Sequence, residues 1–551
     1  MNIQQTHLKR YDTFSGISDL SSLAPVFTRL DTETKTSTSV TRPTFFFAES
    51  GSFLLETPNR DFYLTPESGV LVRSGQEITI RCLSAGMLGN TIVAPTEVNS
   101  LFSSDVQFDI KLMSEVYDII KRPYSVSAVG GVKLLFGRIG DIVPGGVLVA
   151  GFDGDKCLFA VPYDSPPQPR ACDVLVIGAG PIGLGIGAST ANNSLDTIIL
   201  GEPLSFWWQN ILPQPLRSPL SASSIYIDRD SYDLSAFCKH GEINPAGVLQ
   251  FSVFLAYAQS VLNRYEHLVR TERVDGLRRT ADGWLIDVTT PYGAVTYSAN
   301  SVVVATGLLP MANIPGQVSP GKAVRHASAV NRFDLERPDI QAIAVVGGGQ
   351  SALEFALHAW KCGKDVSVVI RESELMFRNL HEPGHYLYKE LAKRSERMTP
   401  WLSGPLKSKL LSFLLRGTVE PRLRDEILNS DIKILGNFRI AGLERFGSRI
   451  RLQAEDKREL HLDSVIFGTG YSWTLERLGF LKNLLGLIKS EAGMPRLTAA
   501  CESSIPGLFF AGYGAMRRVG FKSQFIQGSR LITPAILKEI LRRRECKNVA
   551  G

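Results

Sequence analysis

Cysteine is scarce in this 551-residue chain, with seven residues at positions 82, 157, 172, 238, 362, 501 and 546, and no two form a CxxC or CxxxxC pair. That excludes a redox-active dithiol and a zinc ribbon together. Long apolar runs are missing too. The burst Leu410 to Leu415 ends at Arg416, well short of the ~18 residues a spanning helix needs, so no membrane partner is expected. Residues 1–14 hold no apolar stretch of the secretory kind, which points to a cytoplasmic protein. Net charge is slight: 60 basic against 54 acidic residues leave +6, too dilute to argue for nucleic acid. There is no GxSxG elbow and no metal-ligand cluster. His381 and His385 sit in His-Glu-Pro-Gly-His, but Pro383-Gly384 breaks the i, i+4 helical geometry that a zinc pair needs, so no metal is expected. What is there is ordinary globular material, 44% hydrophobic and 21% charged, which excludes a largely disordered chain.

The length allows about three or four domains. Residues 1–42 are rich in Ser, Thr and charge and read as a tail with at most one short helix. From 43 to 165 the pattern is β-rich: Phe45-Phe46-Phe47, Phe53-Leu54-Leu55, Asp61-Phe62-Tyr63-Leu64, Val70-Leu71-Val72 and Ile78-Thr79-Ile80 follow at hairpin spacing. A small barrel or sandwich buries such strands. Residues 51–83 resemble one half of a cupin-type jelly roll, yet contain no histidine for a metal, so an accessory or packing role is expected. Pro166, Pro167 and Pro169 then mark an extended connector and a domain boundary.

Directly after it stands Asp173-Val174-Leu175-Val176-Ile177-Gly178-Ala179-Gly180-Pro181-Ile182-Gly183. Four consecutive apolar residues suit a strand buried on both faces of a parallel sheet. Gly178 allows a tight turn, Gly180 a close approach of backbone to a pyrophosphate, and Gly183 close packing of the helix begun by Pro181. A second apolar run, Thr197 to Leu200, leads to Glu202, about 24 residues beyond Gly178, where an acid meets a ribose diol. The pattern then recurs as Ile343-Ala344-Val345-Val346-Gly347-Gly348-Gly349-Gln350-Ser351-Ala352. Here the next strand ends in Arg371, which suits a 2′-phosphate, although Glu372 follows and leaves NADH use open. The first turn therefore reads as an FAD site and the second as an NADPH site, and two such folds in one chain point to hydride transfer from nicotinamide to flavin.

Between Cys172 and about Ile536 the chain resembles the class B flavin monooxygenases, closest to the N-hydroxylating lysine/ornithine type. The resemblance is carried by the paired fingerprints, by Val302-Val303-Val304-Ala305-Thr306-Gly307, Thr469-Gly470-Tyr471 and Ile505 to Gly512, and by the aromatic segment Phe206-Trp207-Trp208-Gln209-Asn210. It implies an α/β protein with two Rossmann-like dinucleotide-binding domains behind the β-rich accessory domain. FAD would be bound by 171–335 and 460–551, and NADPH by 336–459 with a helical insert at 387–429 that caps the substrate or covers the sheet. It also implies that NADPH reduces FAD, that oxygen adds at the flavin C4a, and that the resulting (hydro)peroxyflavin hydroxylates an amine nitrogen of a small metabolite. Trp208, Gln209, Asn210, Arg217 and Ser218 are the groups placed near the flavin ring. Val274, Thr306, Gly307, Gly349, Gln350, Ser351, Thr469, Gly470, Gly512 and Tyr513 join the residues above as cofactor contacts. Tyr513 departs from the family, which has aspartate there. The Baeyer–Villiger motif is not met, and His326 reads as a structural or interdomain residue. S-oxygenation, ketone oxygenation and a non-catalytic sensory flavoprotein stand as alternatives. The homo-oligomeric state is open.

Overall fold

The computed structural model describes residues 27–30, 35–93 except 42 and 84–86, 105–119, the strands 128–129, 132–133, 148–153 and 156–160, and 170–550 except 210, 211, 213–215, 217, 244–248, 291–292, 317, 378–382, 416–418 and 448. The run Val174 to Ile177 forms the wholly buried end of strand Ala171–Ile177. Its neighbours are Thr197–Leu200 on one side and Gly293–Val304 on the other, both parallel, with Val174 opposite Thr197 and Ile177 opposite Val304. Val269–Arg270 and the hairpin Arg273–Arg279/Trp284–Thr290 complete the sheet, and Leu508–Phe510 returns from the far end of the chain to lie parallel to Val302–Val304.

A second parallel sheet has the order Val324–His326, Ser464–Phe467, Ala342–Val346, Asp365–Val369, Lys433–Leu435, with a three-stranded antiparallel sheet, residues 440–462, packed on it. Between Asp365–Val369 and Lys433–Leu435 the chain forms the helices Pro383–Met398, Gly404–Leu415 and Pro421–Leu428.

The N-terminal strands form two antiparallel sheets, ordered Phe27–Leu30, Met87–Val93, Thr44–Ser50, Ser68–Val72 and Lys35–Val40, Gln76–Cys82, Phe53–Glu56, Asp61–Leu64. This is the strand order of a complete double-sheet jelly roll rather than half of one. Its interior is filled by Phe46, Phe53, Leu55, Phe62, Leu64, Ile78 and Ile80. Two of its strands, Phe27–Leu30 and Lys35–Val40, lie in the segment expected to be a tail. Lys35–Val40 is a Thr/Ser strand at a sheet edge, where a polar composition is tolerated because one face meets water. Strand Val106–Asp109 extends the first sheet and runs into helix Ile110–Ile119, which the β-rich reading missed. That helix packs on Phe251–Arg264, and Leu112 and Val116 join one apolar core with Phe254 and Leu255.

The jelly roll also docks by charge on the segment that links the two sheets. Asp334 is buried and accepts from Arg60 of the jelly roll at 2.7 Å, from Arg325 at 2.9 Å and from the Asn331 N–H at 2.9 Å. Burial alone would raise this carboxyl, but Arg325 and Arg60 outweigh it and hold the group below the usual range. Arg332 reaches Asp109 and Glu67 at 2.6 Å each, Lys322 reaches Asp61 at 2.7 Å, and Arg81 reaches Asp339 at 2.9 Å.

Candidate cofactor sites

Each glycine turn opens onto a cavity. At the first, Gly178 has φ +116°, and a Cβ there would stand 2.3 Å from the Ala305 carbonyl oxygen. The close approach joins the two central strands, and the Ala305 N–H donates to Ile177 O at 2.8 Å. Gly183 is a packing glycine, since its Cβ would lie 1.8 Å from Gly178 O, and it does not line the cavity. Gly180 is different: nothing stands within 4 Å of its would-be Cβ. It caps helix Pro181–Asn192 without any side-chain hydrogen bond, so the helix N-terminus keeps its first N–H groups for a ligand.

The cavity measures about 700 Å³ and brings together Gly178, Gly180, Pro181, Glu202, Val274, Thr306, Gly307, Gly512 and Tyr513. An uncapped helix start, an acid at the end of the second strand and an open cradle at Gly180 fit an adenine dinucleotide such as FAD. Tyr513 is largely buried, which raises its phenol above the ordinary value and keeps it a neutral hydrogen-bond donor where the resembled family has a charge.

The second cavity, about 660 Å³, is lined by Gly347, Gly349, Arg371, Thr469 and Gly470, and by Arg439, Glu372, Glu374 and Glu455. Gly347 repeats Gly178, with φ +130° and a would-be Cβ 2.5 Å from Gly468 O. Gly349 repeats Gly180: open space, and no side-chain cap on helix Gln350–Lys361. Two arginines beside an uncapped helix start fit a phosphorylated dinucleotide such as NADPH.

The two cavities are joined by one short stretch of chain. Ala305 to Pro310 lines the first, and Asn313 and Pro315 line the second. The Asn313 N–H donates to Gly470 O at 3.0 Å, and the Thr469 hydroxyl donates to Asn313 O. His326 fastens the same point: its Nδ1 accepts the Ser328 N–H at 3.1 Å, and Nε2 lies 2.9 Å from Gly470 O. Burial pushes the imidazole below its ordinary value, so Nε2 carries the proton it donates to Gly470. Both partners stand at strand ends of the second sheet, so His326 takes the structural one of the two roles, structural or interdomain, expected for it.

Other expected contacts are placed elsewhere. Trp208 does not line the first cavity; its neighbours Phe206 and Trp207 do. The short helix Ser205–Gln209 turns Trp207 inward onto Phe254, with ring centroids 4.6 Å apart, while Trp208 packs on the same core with a buried Nε1 that has no hydrogen-bond partner. Gln350 does not line the second cavity: its Nε2 donates to Glu354 at 2.8 Å and its Oε1 accepts the Glu420 N–H at 2.9 Å, tying the insert to the helix. Ser351 and Ser218 are exposed and line neither cavity. Asn210, Arg217, His381 and the side chain of Gln209 lie outside the described residues. Arg439 and Arg73 were not foreseen. Arg439 stands on a distant loop before Ile440–Phe446, and no local pattern ties it to Arg371.

Residues 175–387 match the family model described as pyridine nucleotide-disulphide oxidoreductase. No curated protein matches the chain. Among solved structures, the ornithine N-hydroxylase of Kutzneria sp. 744 is similar at 17% identity and a TM-score of 0.58, covering 69% of this chain and 100% of its own. The cadaverine monooxygenase of Erwinia amylovora, solved with FAD, gives 17% and 0.57 over 67% of this chain and 94% of that one. Ornithine hydroxylase from Pseudomonas aeruginosa gives 14% and 0.58 over 68% and 99%. The fold of the two dinucleotide-binding domains is therefore that of the flavin monooxygenases, N-hydroxylases among them, as the resemblance in the glycine turns implied.

Proposed function

We propose that the chain is an FAD- and NADPH-dependent monooxygenase that hydroxylates an amine nitrogen of a small metabolite. The observation that carries this reading is the pair of cavities, each built on an uncapped helix start behind a glycine turn and joined through residues 305–315. The names of the similar structures, two of which act on ornithine and one on cadaverine, support an amine substrate.

Bound there, the two cofactors supply hydride transfer to the flavin and the activation of oxygen. The chain's part is to hold and orient. The Pro181 helix start takes the FAD diphosphate, Glu202 the ribose diol, and Tyr513 with Thr306-Gly307 the ribityl side. Arg371 and Arg439 hold the NADPH phosphates, and the His326–Gly470–Asn313 bonds fix the two sites relative to each other. Phe206 and Trp207 give one wall an apolar lining that keeps water from the flavin.

A second reading, a sensory flavoprotein without turnover, draws on Tyr513 standing where the family has its aspartate. One experiment separates them. The purified protein is expected to be yellow and to bleach with NADPH without oxygen. On readmitting air, ornithine, lysine or a diamine should yield hydroxylamine product with a matching loss of NADPH. Hydrogen peroxide alone with every amine tried would favour the sensor, and a colourless protein that takes up no FAD would overturn both. Arg371→Ala is expected to weaken NADPH by about tenfold or more while leaving NADH nearly unchanged, the size of one charge-assisted contact.

A further inference from the structure

Arg73 belongs to the jelly roll, directly after strand Ser68–Val72, yet it lines the cavity of the first glycine turn together with Gly180 and Glu202. Its position is fixed from behind. The Arg73 N–H donates to Asp105 Oδ1 at 3.0 Å, and the same carboxylate takes Gln76 Nε2 at 2.7 and 3.0 Å. The guanidinium Nε pairs with Asp105 only at 3.9 Å, too far for a hydrogen bond, and is closed off from solvent without a hydrogen-bond partner. Among the described residues that line the cavity, the other cation is Arg273, which Asp275 holds at 3.0 Å. Glu202 and Glu272 line the cavity as well, so a diphosphate entering it meets two carboxylates and needs a positive group.

We propose that the jelly roll completes the FAD site, with the Arg73 guanidinium donating to the cofactor's diphosphate opposite the Pro181 helix start. The proposal rests on the FAD reading above and goes beyond it, because the N-hydroxylases of similar fold are covered almost end to end by about the share of this chain that follows residue 170. A planar guanidinium with several donors suits a diphosphate better than a point charge. The buried Asp334 cluster, the Arg332–Asp109 pair and the helix Ile110–Ile119 hold the jelly roll where Arg73 can do this, and the more exposed Arg81–Asp339 pair adds little.

The test is FAD binding by the deflavinated full chain, followed by quenching of flavin fluorescence. Arg73→Ala is expected to raise the Kd about ten- to a hundredfold, the size of a charge-assisted hydrogen bond. Arg73→Lys should recover part of the loss, and the fall of affinity with salt should be shallower in Arg73→Ala than in the wild type. Arg81→Ala removes a docking charge that lines neither cavity and should leave FAD affinity unchanged. Wild-type affinity in Arg73→Ala overturns the proposal, and so does an equal loss in Arg73→Ala and Arg81→Ala, which would make the effect one of docking. A wild-type chain that binds no FAD overturns the functional reading itself.

Discussion

Two glycines in one turn serve different ends, and exchanging each separates folding from cofactor binding. Gly178→Ala puts a side chain at φ +116° and 2.3 Å from Ala305 O. The backbone strain is about 1–3 kcal/mol, and moving Ala305 away loses its bond to Ile177 O, about 0.5–1.5 kcal/mol more. Roughly 2–4 kcal/mol of stability should go, whether or not flavin is present. Gly180 lies at φ −77°, ψ 178°, which any residue adopts, with open space at its Cβ. Gly180→Val should cost the fold at most about 1 kcal/mol, the difference between cap residues. Its side chain, however, stands where the diphosphate meets the helix start. Losing two charge-assisted hydrogen bonds at about 1.5–3 kcal/mol each weakens FAD about a hundredfold to ten-thousandfold. Chemical denaturation of the deflavinated chains by circular dichroism reads the first effect, and flavin fluorescence titration reads the second. If Gly180→Val binds FAD within about threefold of the wild type, or unfolds as readily as Gly178→Ala, the assignment of the cradle to Gly180 is wrong.

Asp334→Asn leaves Arg325 and Arg60 facing a neutral group in a buried position, and removing one partner of such a cluster costs about 3–5 kcal/mol. The denaturation midpoint should fall accordingly, and an unchanged midpoint would show that solvent reaches the cluster. For pH, burial holds His326 below its ordinary value of 6.5, so the unfolded chain binds a proton that the folded one refuses. Its share of stability is complete above about pH 6.5 and declines as the pH falls toward the folded value, by at most about 1.4 kcal/mol per pH unit. His358 is held down in the same sense, so His326→Gln should flatten part of the slope and His326→Gln/His358→Gln more of it; an unaltered slope in the double variant would rule out both.

The parts of this molecule that were legible in the sequence are those set by neighbours along the chain. Strand, glycine turn, helix and second strand lie within about thirty residues, and each step has a steric reason, so Gly178, Gly180 and Glu202 and their counterparts Gly347, Gly349 and Arg371 could be singled out from the sequence, and all six line the two cavities. What was not legible depends on three-dimensional closure. Whether Trp207 or Trp208 turns inward is decided by the phase of a five-residue helix against Phe254. Gln350 faces Glu420 because the insert folds back onto its helix, which nothing local signals. Arg439 and Arg73 reach their cavities from other sheets. The strand Lys35–Val40 escaped notice because its Ser and Thr side chains lack the apolar alternation by which half-buried strands are recognised.

The seating of Leu112 and Val116 beside Phe254 and Leu255 bears on how this protein is divided for study. The proline-rich stretch before residue 170 invites a cut, but the fragment beyond it would carry an uncovered strip of helix Phe251–Arg264. Such a strip attracts other copies of itself, and an insoluble fragment would say nothing about its chemistry. A cleavage that retains Ile110–Ile119, supplied as a separate peptide if need be, is the fairer way to ask what the front of the molecule contributes.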